Sequence, residues 1–244
     1  MKNGKVYLRR SQSVVGLVRA FRGLIWDMRV LVWLARRKGQ IARYLRANRV
    51  PKLQLGASDN ILEGWLNTDI FPADASALYL DVTRRFPFDD NVFDYVMAEH
   101  MIEHIDYQAA QAMLRESFRV LKPGGRVRFA TPDLGMLLSL SSKEKTDAQR
   151  KYLDWSTATF LPEVQTCKDV FVINNFFQSW GHRFLYDLET LRQALNAAGF
   201  HEIKFYKPGN SDDPVLRNLE SHGKKITEEI NQFETIVAEG RKKN

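Results

Sequence analysis

Residues 52–70 read KLQLGASDNILEGWLNTDI. Lys52–Leu55 has the apolar character of a short buried strand, and it runs directly into Gly56. A glycine there permits positive φ and lets a ligand approach the backbone closely. A second strand, Trp65–Asp69, ends on an acid whose carboxylate can accept both hydroxyls of a ribose. The turn is Gly56-Ala57-Ser58, with no GxGxxG, and 13 positions separate Gly56 from Asp69. That spacing is shorter than the ~20 residues of a dinucleotide fingerprint. No G-x-x-x-x-G-K-[ST] occurs either, so nothing cradles a pyrophosphate or a triphosphate. A nucleoside without phosphates fits better. On these residues alone, an ordinary strand-to-helix turn stays open as the alternative.

Outward from this stretch, short apolar runs alternate with helical periods, the mark of an α/β domain with a mainly parallel sheet. Further strands are expected at Ala77–Leu80, Phe93–Ala98, Arg126–Ala130, 201–206 and 233–239. A helix over 107–121 carries Ala110, Met113, Leu114, Phe118 and Leu121 on one face, and Lys122-Pro-Gly-Gly125 ends it as a turn. Another helix is expected over 187–198, stopped by Gly199. Residues 134–182 have no clean period and hold many aromatics, among them Trp155, Phe160, Phe176 and Trp180. An insertion of that length in a compact domain points to a lid or a binding element, with a second core layer as the plainer reading.

Asp81 ends the third strand and can bond an adenine amino group. FPFDDNVFD (86–94) sets a turn before the fourth strand, and YVMAEHMIEH (95–104) crosses from strand to helix at the carboxyl edge. With these motifs the chain resembles the class I S-adenosylmethionine-dependent methyltransferases of the type 11 group. LQLGAS, GWLNTD, FPFDDNVFDYVMAEHMIEHI, LRESFRVLKPGGRVRFATPD and LRQALNAAGF carry the resemblance over roughly residues 51–240, and FETIVAEGRKK resembles the last strand. The implied fold is Rossmann-like: a mostly parallel seven-stranded sheet with an antiparallel last strand, here with an N-terminal helical extension.

The resemblance also implies site roles with S-adenosylmethionine as cofactor. Leu55, Gly56, Ala57 and Ser58 would border its amino-acid part. Asp69, with Ile70, would hold the ribose. Asp81 and Val82 would face the adenine, and Ala98 and Glu99 would lie near the sulfonium. Ser58 departs from the family, which commonly has a second glycine there, and a non-catalytic scaffold is one reading of that departure. A hydroxyl acceptor calls for a base, and His100, His182 and Glu99 are the catalytic candidates, with His104 nearby. Glu99, Glu103 and His104 could meet on one side of a helix, but no third firm metal ligand can be located, so no metal is expected. GWLNTD, GHRFLYD and DDPVLRNLESHGK resemble bacterial methyltransferases of surface-glycan pathways. The implied substrate is a small molecule or glycan hydroxyl, with a lipid-like, quinone-type aromatic as the alternative.

Charge divides the 244 residues at about residue 50. Residues 1–50 hold 13 Lys/Arg and one acid, Asp27, while the remainder carries a net charge of −5. No basic face exists on the body to favour nucleic acid. Residues 12–47 read as helix, with Val14, Leu17, Val18, Phe21, Ile25, Met28, Val32 and Ala35 along one face. Arg19, Arg22, Arg29, Arg36 and Arg37 lie on another side beside Trp26 and Trp33, and Gly39 is a candidate break. That pattern fits a helix lying on a membrane surface. Packing on the domain, or homodimerisation, fits it as well. Arg19 and Arg22 interrupt any signal-peptide core, and no apolar run approaches the ~18 residues needed to span a bilayer. The single cysteine, Cys167, suits a reducing, cytoplasmic setting, with peripheral contact at the inner membrane surface. The expected organisation is a basic helical extension over 1–50 and a methyltransferase domain over 51–244.

Overall fold

The computed structural model describes residues 12–243. It divides into two compact units, one ending at Ala47 and one spanning Asn48–Asn244. In the first unit, Gln12–Ala47 is one continuous α-helix, α1. The expected break at Gly39 does not occur. A mid-helix glycine costs about 1 kcal/mol relative to alanine, and here it sits among Arg36, Arg37, Lys38 and Gln40, which sustain the helix. Leu17, Phe21, Leu24, Met28 and Leu31 are exposed and recur at alternating steps of four and three residues. Trp26 and Trp33 meet edge to face, 5.4 Å between ring centroids.

The second unit is built on seven strands: β1 Lys52–Leu55, β2 Leu66–Asp69, β3 Leu78–Tyr79, β4 Phe93–Glu99, β5 Leu121–Pro132, β6 His201–Tyr206 and β7 Thr235–Arg241. Their order in the sheet is β3-β2-β1-β4-β5-β7-β6. β1 to β5 pair in parallel, and β7 runs antiparallel to both β5 and β6. This is the Rossmann-like methyltransferase architecture expected from the sequence. The central strands are closed to water on both faces. Leu53, Leu55, Phe93, Val96, Met97, Val127 and Phe129 are fully buried, which is why these strands read as unbroken apolar runs.

Two helices pack beside the sheet: α2, Tyr107–Val120, and α6, Leu188–Ala197. Asp106 caps α2 by accepting from the Ala109 amide, and Asp187 caps α6 by accepting from the Thr190 amide. Lys122-Pro-Gly-Gly125 is not a separate turn before β5. Strand pairing already begins at Leu121, opposite Phe93, and the register then slips before Tyr95 meets Arg126. The Pro-Gly-Gly stretch is an irregularity inside the strand, with Gly124 at φ +78°. The last strand also starts later than expected, because Phe233 and Glu234 still belong to the helix before it.

Residues 134–182 are not aperiodic. They form three helices: α3 Leu134–Ser139, α4 Asp147–Phe160 and α5 Lys168–Gln178. Thr146 and Gln149 cap α4 reciprocally. Their faces are short, and they close on a core of their own that includes Leu137, Leu140, Tyr152, Val172 and Phe176. Two further helices, α7 Gly223–Ile226 and α8 Glu228–Glu234, lead into β7.

Candidate active site

The sheet order reverses at β1, which has β2 on one side and β4 on the other. Leu55 pairs with Ala98 there, so Gly56 and Glu99 leave the sheet side by side at its carboxyl edge. Leu55 and Ala98 are themselves buried and frame this exit. Gly56 has φ +64°, and a Cβ on it would lie 2.5 Å from Met101 Cγ. No side chain fits. Ser58 is also left-handed, at φ 47°. Its amide donates to Asp69 Oδ2 at 2.8 Å, and the Phe71 amide donates to Asp69 Oδ1 at 2.7 Å. The acid at the end of β2 thus ties the glycine turn to its own following turn. Ile70, next to it, is exposed. Asp81 is occupied locally: Thr83 donates to Oδ1 through its amide and hydroxyl, and Arg84 Nε donates to Oδ2. Val82, beside it, is half-buried.

A cavity of about 140 Å³ opens over the turn, lined by Gln54, Gly56 to Asn60, Glu99 and His100. Gln54 Oε1 is buried on its wall and accepts no hydrogen bond. An acceptor left without a partner costs about 1–3 kcal/mol unless a ligand supplies a donor. A glycine cradle, an orphan acceptor and the nearby Asp69 suit the ammonium-bearing end of an amino-acid nucleoside such as S-adenosylmethionine.

The tail before α8 forms the remaining wall, through Ser221, His222 and Lys225. Glu99 Oε1 accepts from the Ser221 and His222 amides, each at 2.7 Å. Its Oε2 accepts from Asn60 Nδ2 at 3.0 Å and from the Ser221 hydroxyl at 3.3 Å. Glu99 is therefore an anchor for this strap, not the free catalytic group expected of it. Lys225 adds an ion pair to Asp59 at 2.6 Å. Farther back, the fully buried Arg128 binds both Glu220 and Glu239 and fixes the base of the strap.

A second cavity, about 290 Å³, shares His100 and His222 with the first. The two rings lie 4.0 Å apart at the junction. Trp155, Phe160, Phe176 and Trp180 from the insertion form its apolar wall, and Glu103, His104, His182 and Glu234 join the two shared histidines as its polar groups. His100 was expected as a base, but both of its ring nitrogens are engaged. Nδ1 faces Glu103 Oε1 at 3.2 Å. Nε2 lies 3.2 Å from the Thr235 hydroxyl, which itself donates to Asn231 Oδ1, so the ring must donate there too. Burial alone would lower the His100 pKa, but the bond to Glu103 and the charges of Glu103, Glu234 and Glu99 outweigh it and raise it. These contacts favour the protonated ring, paired with Glu103. His182 is the opposite case. Its Nδ1 donates to the Phe176 carbonyl at 2.7 Å, which leaves the Nε2 lone pair free. Burial lowers its pKa against that bond, which favours the neutral ring.

Glu99, Glu103 and His104 do not share one helix. Glu99 ends β4, and only Ile102–His104 is helical, as a single 3-10 turn. The carboxylates separate, Glu99 toward the strap and Glu103 toward Thr131 and His100. Sequence reasoning missed Asn60, Ser221 and His222. Asn60 sits within the quoted turn and offered a signal. The other two lie in a tail without period, more than 120 residues from Glu99.

Residues 38–129 match the family model described as a methyltransferase domain. The chain is 30% identical over 142 residues to the ubiquinone/menaquinone biosynthesis C-methyltransferase of Cronobacter sakazakii, covering 57% of this chain and 48% of that protein. It is 28% identical over 126 residues to the protein of that name in Idiomarina loihiensis, covering 50% and 44%. The chain thus spans about half the length of the curated relatives it matches. Among solved structures, a SAM-dependent methyltransferase from Archaeoglobus fulgidus superposes with a TM-score of 0.50 at 16% identity, over 88% of this chain and 94% of that one, a likeness of fold. Residues 38–129, which include the glycine turn, thus carry the match to a methyltransferase domain, and the sheet order is that of the Rossmann-like methyltransferase fold.

Proposed function

We propose that the protein transfers a methyl group to a hydroxyl of a small-molecule or sugar acceptor held in the aromatic cavity. The observation that carries this reading is the pair of cavities joined at His100 and His222: one polar and beside the glycine turn, the other walled by aromatic rings. Sugar faces and flat rings both pack on such walls. S-adenosylmethionine, when bound, supplies a methyl on a sulfonium whose departure leaves a neutral thioether. The chain's part is to align the acceptor, exclude water and receive a proton. Gln54, the Gly56–Ser58 turn and Asp69 would hold the cofactor. Trp155, Phe160 and Trp180 would exclude water. His182 Nε2, with its free lone pair, would take the hydroxyl proton. The charged His100 would stay fixed by Glu103 and keep the junction in shape.

A second reading is methylation of a quinone-type aromatic. The relatives named as quinone-pathway C-methyltransferases and the aromatic wall favour it. A glycan acceptor rests on sequence resemblance alone. We also assign the exposed stripe of α1, with its arginines, to a membrane surface on the cytoplasmic side. Dimerisation through that stripe is the competing use.

The test is turnover with sugar and hydroquinone acceptors, with the product's methyl located by NMR. His182→Ala should lower O-methyl turnover by about a hundredfold or more while S-adenosylhomocysteine affinity stays unchanged. Near-normal turnover in that variant would remove His182 as base. A ring-carbon methyl in the product would select the second reading.

A further inference from the structure

We propose that the floor of the aromatic cavity is a divalent metal site formed by Glu103, His104 and His182. This goes beyond the methyl-transfer reading and does not depend on it. One ligand atom from each residue can be chosen so that all three lie within 4.8 Å of one another. The backbone builds this arrangement from two distant segments. The 3-10 turn Ile102–His104 sets Glu103 and His104 side by side. The Arg183 and Phe184 amides both donate to the Glu103 carbonyl, at 2.7 and 3.2 Å. That docks the 182–184 segment on the turn and brings the His182 ring to 5.1 Å from the His104 ring.

Each group is prepared as a ligand. His182 donates Nδ1–H to the Phe176 carbonyl, which fixes ring and tautomer and turns Nε2 outward as a lone pair. Metal-binding histidines are commonly oriented in this way, by a carbonyl or carboxylate on the far nitrogen. Glu103 is fully buried. Its Oε2 accepts from the Thr131 hydroxyl. Its Oε1 pairs with His100 Nδ1 at 3.2 Å and keeps a second lone pair to spare. His104 is exposed and closes the site from the cavity side.

Two imidazoles and one carboxylate are the donor set of zinc and its first-row neighbours, not of magnesium or calcium, which prefer oxygen throughout. Three protein ligands leave a position open, and it faces the aromatic cavity. The ligand for that position is an oxygen of whatever molecule the cavity takes. An ion seated there would occupy the His182 lone pair, so ion and proton are alternative uses of that nitrogen.

The experiment is titration of untagged, chelator-treated full-length protein with Co²⁺, read by visible ligand-field absorption, and with Zn²⁺ by calorimetry. One equivalent should bind, with bands typical of a low-coordinate nitrogen–oxygen site, and Mg²⁺ should not compete. His104→Ala and His182→Ala should each weaken binding by about tenfold or more. His201→Ala, outside the cluster, should not. Because Glu103 is buried, Glu103→Gln is read only after a thermal melt shows it folded. His104→Ala removes an exposed side chain and keeps the test decisive without it. Absence of a ligand-field band, or binding unaffected in both histidine variants, overturns the site. Neither cofactor nor acceptor is present, so failure of methyl transfer leaves this result standing, and the reverse holds as well.

Discussion

Ser58 shows how one residue records a compromise. Its left-handed backbone costs an L-residue roughly 1–2 kcal/mol, while glycine in its place would lose more entropy on folding, about 0.5–1 kcal/mol. The two nearly cancel, so Ser58→Gly should change stability by less than about 1 kcal/mol, measured by urea denaturation. The serine therefore does not by itself mark a dead cofactor turn. Asp69 carries more weight. It braces the turn through Ser58 and Phe71 and is the acid expected to receive the ribose. Asp69→Ala should weaken S-adenosylhomocysteine binding by about tenfold or more, from the loss of charge-assisted hydrogen bonds. Unchanged calorimetric affinity in a folded variant would take Asp69 out of the site. The places of Gly56 and Asp69 at the carboxyl edge of the sheet were legible because strand, turn and acid are contiguous in sequence. The states of His100 and His182 were not, because each is set by partners from other elements: Thr235 for one, the Phe176 carbonyl for the other.

At the scale of elements, α2 holds the entry to β4 through one arginine. Arg119 donates to the Phe86 and Phe88 carbonyls, to Asp90 and to both oxygens of Glu116. Glu116 Oε2 in turn accepts from the Phe86 amide. Arg119→Ala should cost about 2–3 kcal/mol, since it strands carbonyls and a carboxylate together. The bond from Arg119, against a smaller opposing effect of burial, lowers the Glu116 pKa below its ordinary 4.5. A depressed carboxylate stabilises the fold fully above its unfolded value. That contribution fades as pH falls through the lower native value. The stability gap between wild type and Arg119→Ala should therefore be widest at neutral pH and narrow below about pH 4.5, read as urea midpoints. A gap independent of pH would mean that the clamp works through the carbonyls alone. FPFDDNVFD was readable as a turn before a strand, but nothing in it names Arg119, about thirty residues on. The three helices of the insertion escaped for a related reason. Their apolar faces close on one another, and each is too short to show a period.

At the scale of the molecule, charge and hydrophobicity are unevenly distributed. The strand-and-helix alternation after Pro51 made the sheet legible, because a parallel core needs unbroken apolar strands. Helix α1 was legible as a helix but not as to its purpose, since an exposed apolar stripe serves a bilayer or a second helix equally well. Its 36 residues give about 54 Å of length, and among the described residues no helix is long and apolar enough to cross a membrane. The stripe Leu17, Phe21, Leu24, Met28 and Leu31 is exposed, and the first fifty residues carry twelve excess positive charges. Anionic lipid answers both features: acyl chains take the stripe and headgroups take the arginines. Full-length protein should therefore sediment with phosphatidylserine vesicles at low salt and be released as ionic strength rises. Protein lacking residues 1–47 should stay in the supernatant, because the remaining unit has a net negative charge. The sheet, both cavities and the strap all lie beyond Asn48, so the truncated chain should still bind S-adenosylhomocysteine with unchanged affinity. If the full-length chain ignores the vesicles and runs in solution as a dimer while the truncated form is a monomer, the stripe is a helix-pairing surface and the membrane assignment falls.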